Sequence, residues 1–255
     1  MDLALQKKNV IIVGGSNGIG LSIVKGFLEE NANVHVISRN RDREVIGGLK
    51  EAYSNSFFFY SGDATDENSL TMIRGEILNN SNQEIDIVVS NVGSGKGTQT
   101  AINDNDEWSQ LWEINFNSAL NVSRVFSPEL IKTKGSIIFI SSIAGMEFIG
   151  APTAYSTAKA AIIAFSKSLS HRLAPYVKVN VVSPGNIWIE NGTWDMKMKE
   201  NPEKVVNMLN EKVPLRRFGL PEEVCDLVLF LCSTRATFIT GGCFVIDGGQ
   251  TISFN

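Results

Sequence analysis

Residues 9–20 read NVIIVGGSNGIG: an unbroken apolar run from Val10 to Val13, then glycines at 14, 18 and 20, with a helical pattern starting at Gly18. A short β-branched run without alternation fits a strand covered on both faces. A glycine turn leading straight into a helix N-terminus presents backbone N–H groups and the positive end of the helix dipole to a pyrophosphate. The spacing is G-x-x-x-G-x-G rather than the longer G-x-G-x-x-G dinucleotide fingerprint.

The pattern repeats outward from this turn. Further apolar runs at Asn33–Ser38, Ser56–Ser61, Ile85–Asn91, Gly135–Ser141, Lys178–Ser183 and Gly242–Ile246 alternate with helical stretches at Gly18–Glu30, Ser69–Asn79, Asp106–Leu130, Ala151–Leu173 and Pro221–Leu231. This order predicts an α/β fold, a doubly wound parallel sheet of about seven strands with helices on both faces. The 255 residues suit one core, so a single domain spanning 1–255 is expected.

Composition narrows the function. With 43% hydrophobic residues, 20% charged residues and a net charge of −4, the chain has an ordinary globular balance. Its basic residues are scattered, which argues against nucleic acid. No apolar run is long enough to cross a bilayer and no apolar leader precedes the first strand, so no membrane partner and cytoplasmic residence are expected. Cys225, Cys232 and Cys243 lack metal-ligand pairing and read as buried free thiols. His35 and His171 are the only histidines, so neither a metal site nor a serine–histidine triad is expected.

Two loops invite a ligand reading. The second strand ends near Ser38, where an acidic residue would accept from a ribose 2′-hydroxyl and a guanidinium would pair with a 2′-phosphate; Arg39 therefore favours NADP(H) over NAD(H). The stretch VVSNVGSGKGTQT, residues 88–100, looks like a kinase phosphate loop. It fails on spacing, because that motif needs glycine where Ser90 stands and a hydroxyl where Gly97 stands. Gly93–Thr98 then reads as a flexible wall, with Lys96 either solvated or at the rim to meet an anionic substrate group.

The chemistry-bearing stretch is ISSIAGMEFIGAPTAYSTAKAAI, residues 140–162. It places Ser141 and Ser142 at a strand end and Tyr155 and Lys159 one helical turn apart on one face. An ammonium beside a phenol favours phenolate, which predicts a lowered Tyr155 pKa suited to proton transfer.

Together these motifs resemble the short-chain dehydrogenase/reductase family over nearly the whole chain. The likeness rests on Gly14, Gly18, Ile19 and Gly20; Asp63 after the third strand; Ser90-Asn91-Val92-Gly93; Asn115; Ser142; Tyr155 with Lys159; Pro184-Gly185; and the tail PLRRFGLPEEV with GGCFVIDGG. The resemblance implies a Rossmann-like fold and hydride transfer between a nicotinamide and a carbonyl or carbinol carbon. It implies proton donation by Tyr155, support from Lys159, a substrate hydrogen bond from Ser142, and a water-holding role for Asn115. The implied cofactor-binding set is Gly14, Ser16, Asn17, Gly18, Ile19, Gly20, Arg39, Asp63, Ala64, Asn91, Gly93, Tyr155, Lys159, Pro184, Gly185 and Ile187.

The family usually has threonine where Val13 stands, tied to an asparagine where Ser90 stands, and another threonine where Ile189 stands. A variable lid is expected at about 186–212. Met146, Glu147, Trp188 and Trp194 are its candidate substrate contacts, in a partly apolar pocket for a small carbonyl or alcohol. A homotetramer through the long helices and last strand is implied. A non-catalytic NADP-sensing regulator on the same fold stays open as the alternative, and an epimerase or dehydratase of the broader superfamily fits the chain length less well.

Overall fold

The computed structural model describes residues 2–39, 43–81 and 84–253. Seven parallel strands lie in the order β3-β2-β1-β4-β5-β6-β7: β1 Asn9–Val13, β2 Asn33–Ser38, β3 Phe57–Ser61, β4 Ile87–Ser90, β5 Ser136–Ile140, β6 Lys178–Pro184 and β7 Cys243–Ile246. The order reverses between β1 and β4, which opens a crevice at their carboxyl ends. This is the expected Rossmann-like sheet.

The continuous runs serve both faces. Along β1, Val10 and Ile12 enter one core cluster with α1 (Gly18–Glu29), α2 (Arg43–Ala52) and α9 (Pro221–Cys232). Ile11 and Val13 enter the other, with α3 (Glu67–Asn80), α5 (Ser118–Thr133) and α6 (Thr153–Leu173). Burial on both sides explains why these strands carry no polar alternation.

Two expectations are refined. The helix predicted over 106–130 is α4 (Asn105–Trp112), then a π-turn at Glu113–Asn117, then α5. Asp104 caps α4, its side chain accepting from Glu107 N. The segment between β6 and α9 contains two helices, α7 (Thr193–Glu200) and α8 (Pro202–Lys212). Asn201 caps α8 and Pro202 opens it, a start signal legible in the sequence. The ends of this segment are tied together: Gly219 N donates to Asn186 O at 3.0 Å and Trp188 N to Gly219 O at 2.8 Å.

Among the described residues no helix is long and apolar enough to cross a membrane. Cys225 and Cys232 are buried thiols, and burial pushes both up to about 12. Cys243 is only half-buried, because β7 is the sheet edge. His35 is fully buried in β2 and stacks on Phe58 and Tyr60, while His171 is exposed near the end of α6.

Candidate functional site

A cleft of about 170 Å³ lies at the sheet's switch point. Gly14, Ser16, Asn17, Arg39, Asp63, Ala64, Asn91 and Gly93 line it, joined by Val92 and Ser38, which the motifs had not singled out for this role. Gly14 has φ +87°, a left-handed conformation that only glycine adopts freely, and a Cβ there would stand 3.1 Å from Val92 N. Gly20 lets the first turn of α1 close on the Gly14 carbonyl, which a Cβ would strike. A wall of bare backbone at a helix N-terminus suits a dinucleotide pyrophosphate.

The glycine turn is held by a different tie from the one the family pattern implies. With Val13 and Ser90 in place, the Asn91 side-chain amide donates to Gly14 O at 2.8 Å and Asn91 N to Val13 O at 3.0 Å. At the far end of the cleft Ser16 Oγ and Ser38 Oγ are 2.9 Å apart, and the Arg39 guanidinium stands 3.5 Å from Asp63. Thr65 and Arg39 hold the Asp63 carboxyl below its usual range against the opposing effect of desolvation, which is the largest single influence.

Gly93 joins this cleft to the second cluster. A Cβ on it would lie 2.8 Å from Lys159 Nζ and 2.9 Å from Asn115 Oδ1. The Lys159 ammonium is buried and donates to Ile140 O at 3.0 Å; burial lowers its pKa to about 8. Asn115, on the π-turn, accepts from Ser94 N and donates to Ser94 O, both at 3.0 Å, and also donates to Leu111 O at 2.9 Å. Its amide is thus anchored to the loop after β4. Ser141 Oγ donates to Lys159 O at 2.8 Å, locking β5 to α6 beneath the cluster.

Tyr155 corrects an expectation. Its pKa is raised, because burial penalises the phenolate; the Ser142 hydroxyl within hydrogen-bonding reach pulls in the opposite direction. The Lys159 Nζ lies 5.9 Å from the centre of the phenol ring, and the burial that disfavours phenolate also disfavours the ammonium. Lys159 nevertheless stands beside Gly93, the Tyr155 ring lies beside Gly95, and the Ser142 hydroxyl is within hydrogen-bonding reach of the phenol.

The loop read as a flexible wall is anchored. Thr98 N and Oγ1 donate to Glu107 at 2.5 and 2.6 Å, and Gln99 Nε2 donates to Gly150 O at 2.7 Å. Glu107 was missed, although Asp104 followed three residues on by Glu107 is a capping-box pattern. No helix begins at Lys96, which is exposed; α4 starts only at Asn105, so the kinase reading fails on structure as well as on spacing.

The remaining candidates are placed as follows. Pro184 ends β6 beside Ile246, and Gly185 follows it against Asp247 in the tail after the last strand. Ile187 is buried, paired with Gly219. Ile189, the site of the missing threonine, lies over the glycine turn, with its Cδ1 3.0 Å from where a Gly18 Cβ would be. Trp188 and Trp194 both pack on Phe218, with ring centres 5.3 and 5.4 Å apart, so their rings knit the segment to its own root. Met146 is half-buried beyond Ser142. Glu147 turns to the C-terminal segment, its Oε1 accepting from Ile252 N at 2.8 Å and Ser253 N at 2.5 Å.

A family model described as enoyl-(acyl carrier protein) reductase matches residues 13–251. The chain is 34% identical to a 3-oxoacyl-(acyl-carrier-protein) reductase, FabG, of Chlamydia trachomatis over 96% of its own length and 98% of the relative's. It is 30% identical to a tropinone reductase homolog of Arabidopsis thaliana, covering 98% and 94% of the two chains. Among solved structures, the L-sorbose reductase of Gluconobacter frateurii complexed with NADPH and L-sorbose superposes with a TM-score of 0.91 at 29% identity, over 99% of this chain and all of the other. Sheet order, glycine turn, the Ser142–Tyr155–Lys159 group and these likenesses agree: the chain belongs to the short-chain dehydrogenase/reductase family, whose members are oxidoreductases acting on carbonyl and hydroxyl groups.

Proposed function

We propose that the protein is an NADP(H)-preferring reductase of a small carbonyl compound, with Ser142, Tyr155, Lys159 and Asn115 as its catalytic group. The observation that carries this reading is the meeting of the Lys159 ammonium and the Asn115 amide at Gly93, on the wall of the cleft, with the Tyr155 ring two residues on beside Gly95. When bound, a nicotinamide supplies the hydride. Every other task falls to the chain.

Tyr155 Oη gives its proton to the substrate oxygen, and its raised pKa keeps it protonated at neutral pH. Ser142 Oγ hydrogen-bonds that same oxygen and fixes its position. Lys159, with a pKa near 8, keeps a proton available beside the phenol. Asn115 holds the Ser94 loop against this cluster and maintains the opening between the two halves of the site.

Arg39, just after β2 and beside the Ser16 and Ser38 hydroxyls, supplies the positive charge for a 2′-phosphate, and the β2 strand itself ends on Ser38 rather than on a carboxylate that would accept from a free 2′-hydroxyl. The NADPH in the L-sorbose reductase structure supports the same preference. Segment 186–212 is the lid over the substrate, and α5 and α6, the long helices after β4 and β5, are the surfaces through which a homotetramer would assemble. The test is NADPH oxidation, followed by absorbance, against a panel of aldehydes and ketones including 3-oxoacyl thioesters and ketoses. Absence of turnover on the whole panel, with NADPH bound, would leave the non-catalytic sensor as the reading.

A further inference from the structure

The C-terminal segment from Asp247 to Ser253 connects parts of the site that lie far apart in the chain. It leaves β7 against Gly185, where a Cβ would stand 2.6 Å from Asp247 Cβ. Asp247 then shapes a turn, Oδ1 accepting from Gly249 N at 2.8 Å and Oδ2 from Thr251 N at 2.7 Å. On the way the segment runs over the residues that end the proposed lid. Leu215 N donates to Gly248 O at 3.1 Å, and Cβ atoms at Gly248 and Gly249 would meet Val213 and Pro214 at 2.9 and 3.0 Å.

The segment finishes on Glu147, whose single oxygen Oε1 takes both the Ile252 and the Ser253 amide. Glu147 sits in the loop that begins at Ser142, and this loop cannot shift freely: Gly145 is pressed on the α6 backbone, where a Cβ would be 2.6 Å from Lys159 C. The strap therefore has one fixed end at the serine loop and one at the root of the lid. Its attachment to the loop is a pair of charge-assisted hydrogen bonds to one carboxylate, stronger than neutral ones of the same length.

We propose that Glu147 is a positioning residue: by clasping the C-terminal strap it holds the lid root against the loop that carries Ser142, and so sets the substrate-side wall of the site. The proposal deepens the reductase reading and rests on it only for its kinetic consequence. Asp247, the other carboxylate facing Glu147, is already engaged by the strap's own amides.

Hydrogen exchange read by mass spectrometry, together with steady-state kinetics, tests it on the full chain. In Glu147→Ala the Ile252, Ser253 and Leu215 amides should exchange about tenfold faster while β1 and β5 are unchanged. KM for the best carbonyl substrate should rise about fivefold with kcat and NADPH affinity nearly constant. Glu147→Gln, which keeps an acceptor oxygen, should restore most of both, and a chain lacking residues 252–255 should match the alanine variant.

Unchanged exchange at Leu215 in Glu147→Ala overturns the clasp, as does faster exchange there with an unchanged KM. A rise in exchange across the whole sheet means that the residue serves only global stability, and this too overturns it. If the unaltered protein turns over no carbonyl, the reductase reading has failed; Leu215 exchange then decides the clasp alone.

Discussion

The Asn91 side-chain amide donates to the Gly14 carbonyl at 2.8 Å, across 77 residues of sequence, and fastens the end of β4 to the glycine turn. This bond stands in for the family's threonine tie, which Val13 and Ser90 cannot make. Removing it frees the turn whose backbone faces the cofactor cleft. Asn91→Ala should weaken NADPH binding about tenfold, as expected for one partly buried hydrogen bond of about 1 kcal/mol plus its orienting effect. A fluorescence titration giving wild-type affinity would show that the turn holds its shape without Asn91.

Gly93 offers a sharper separation of stability from activity. A methyl group there meets the Lys159 ammonium and the Asn115 side chain, the far ends of two side chains rather than packed backbone. Making room costs the Lys159 amine its bond to Ile140 O but displaces no packed backbone, so the fold should survive while the cluster is disarranged. Gly93→Ala should lose about 100-fold or more in kcat, a misplacement effect, with a melting temperature close to that of the parent. A parallel fall in both would mean that Gly93 is structural only.

Tyr155→Phe should abolish carbonyl reduction and leave NADPH affinity within about twofold, since the phenol oxygen is the proposed proton source and the ring still packs. The pH profile adds a second check. Lys159 has its pKa lowered to about 8 by burial, so kcat/KM for the carbonyl should fall as pH rises through about 8. A flat profile from pH 7 to 9 would remove Lys159 from the proton path.

Arg39→Ala should weaken binding of NADPH about tenfold or more, the loss of a charge-assisted phosphate contact, and leave NADH nearly unaffected. The exposed Arg39–Asp63 pair adds little to stability, as surface ion pairs rarely exceed about 1 kcal/mol. The melting temperature should therefore stay put. Equal effects on both cofactors would assign Arg39 to the shared part of the dinucleotide.

His35 makes a prediction about stability rather than catalysis. Burial lowers its pKa to about 4, and its Nε2 has no hydrogen-bond partner among the described residues. Between about pH 6.5 and 4 the unfolded chain binds a proton there and the folded chain does not, so stability falls as pH falls through this window. The slope reaches about 1.4 kcal/mol per pH unit, for a total of roughly 3 kcal/mol. Thermal melts of His35→Phe against the parent at pH 7 and pH 4.5 should show the parent losing more. An equal loss in both would place the acid sensitivity elsewhere.

Much of the fold was legible because its signals are local. Continuous β-branched runs, a glycine turn and helical periodicity each report on a few neighbouring residues, and alternation of strands with helices implies right-handed crossovers and a parallel sheet, while the order β3-β2-β1-β4-β5-β6-β7 came from the structure. The π-turn was not legible: residues 106–130 look uniformly helical, and the widening at Glu113–Asn117 appears only where Asn115 turns to bond Ser94 and Leu111. The direction of the Tyr155 pKa was misread for a related reason. Spacing puts an ammonium near the phenol, but how dry the surroundings are depends on elements from across the chain.

By itself, then, the sequence determined the parallel sheet, the glycine turn after β1 and the shared helix face of Tyr155 and Lys159, since backbone geometry and helical pitch act over short spans; Ser142 was placed beside them by the family resemblance. Tertiary structure alone decided that Asn91 replaces the missing threonine, that Ile189 covers Gly18, and that Glu147 reaches 105 residues ahead to hold the tail. These are contacts between side chains and backbone groups that only packing brings within hydrogen-bonding or van der Waals distance, and no local pattern encodes which partner packing will supply.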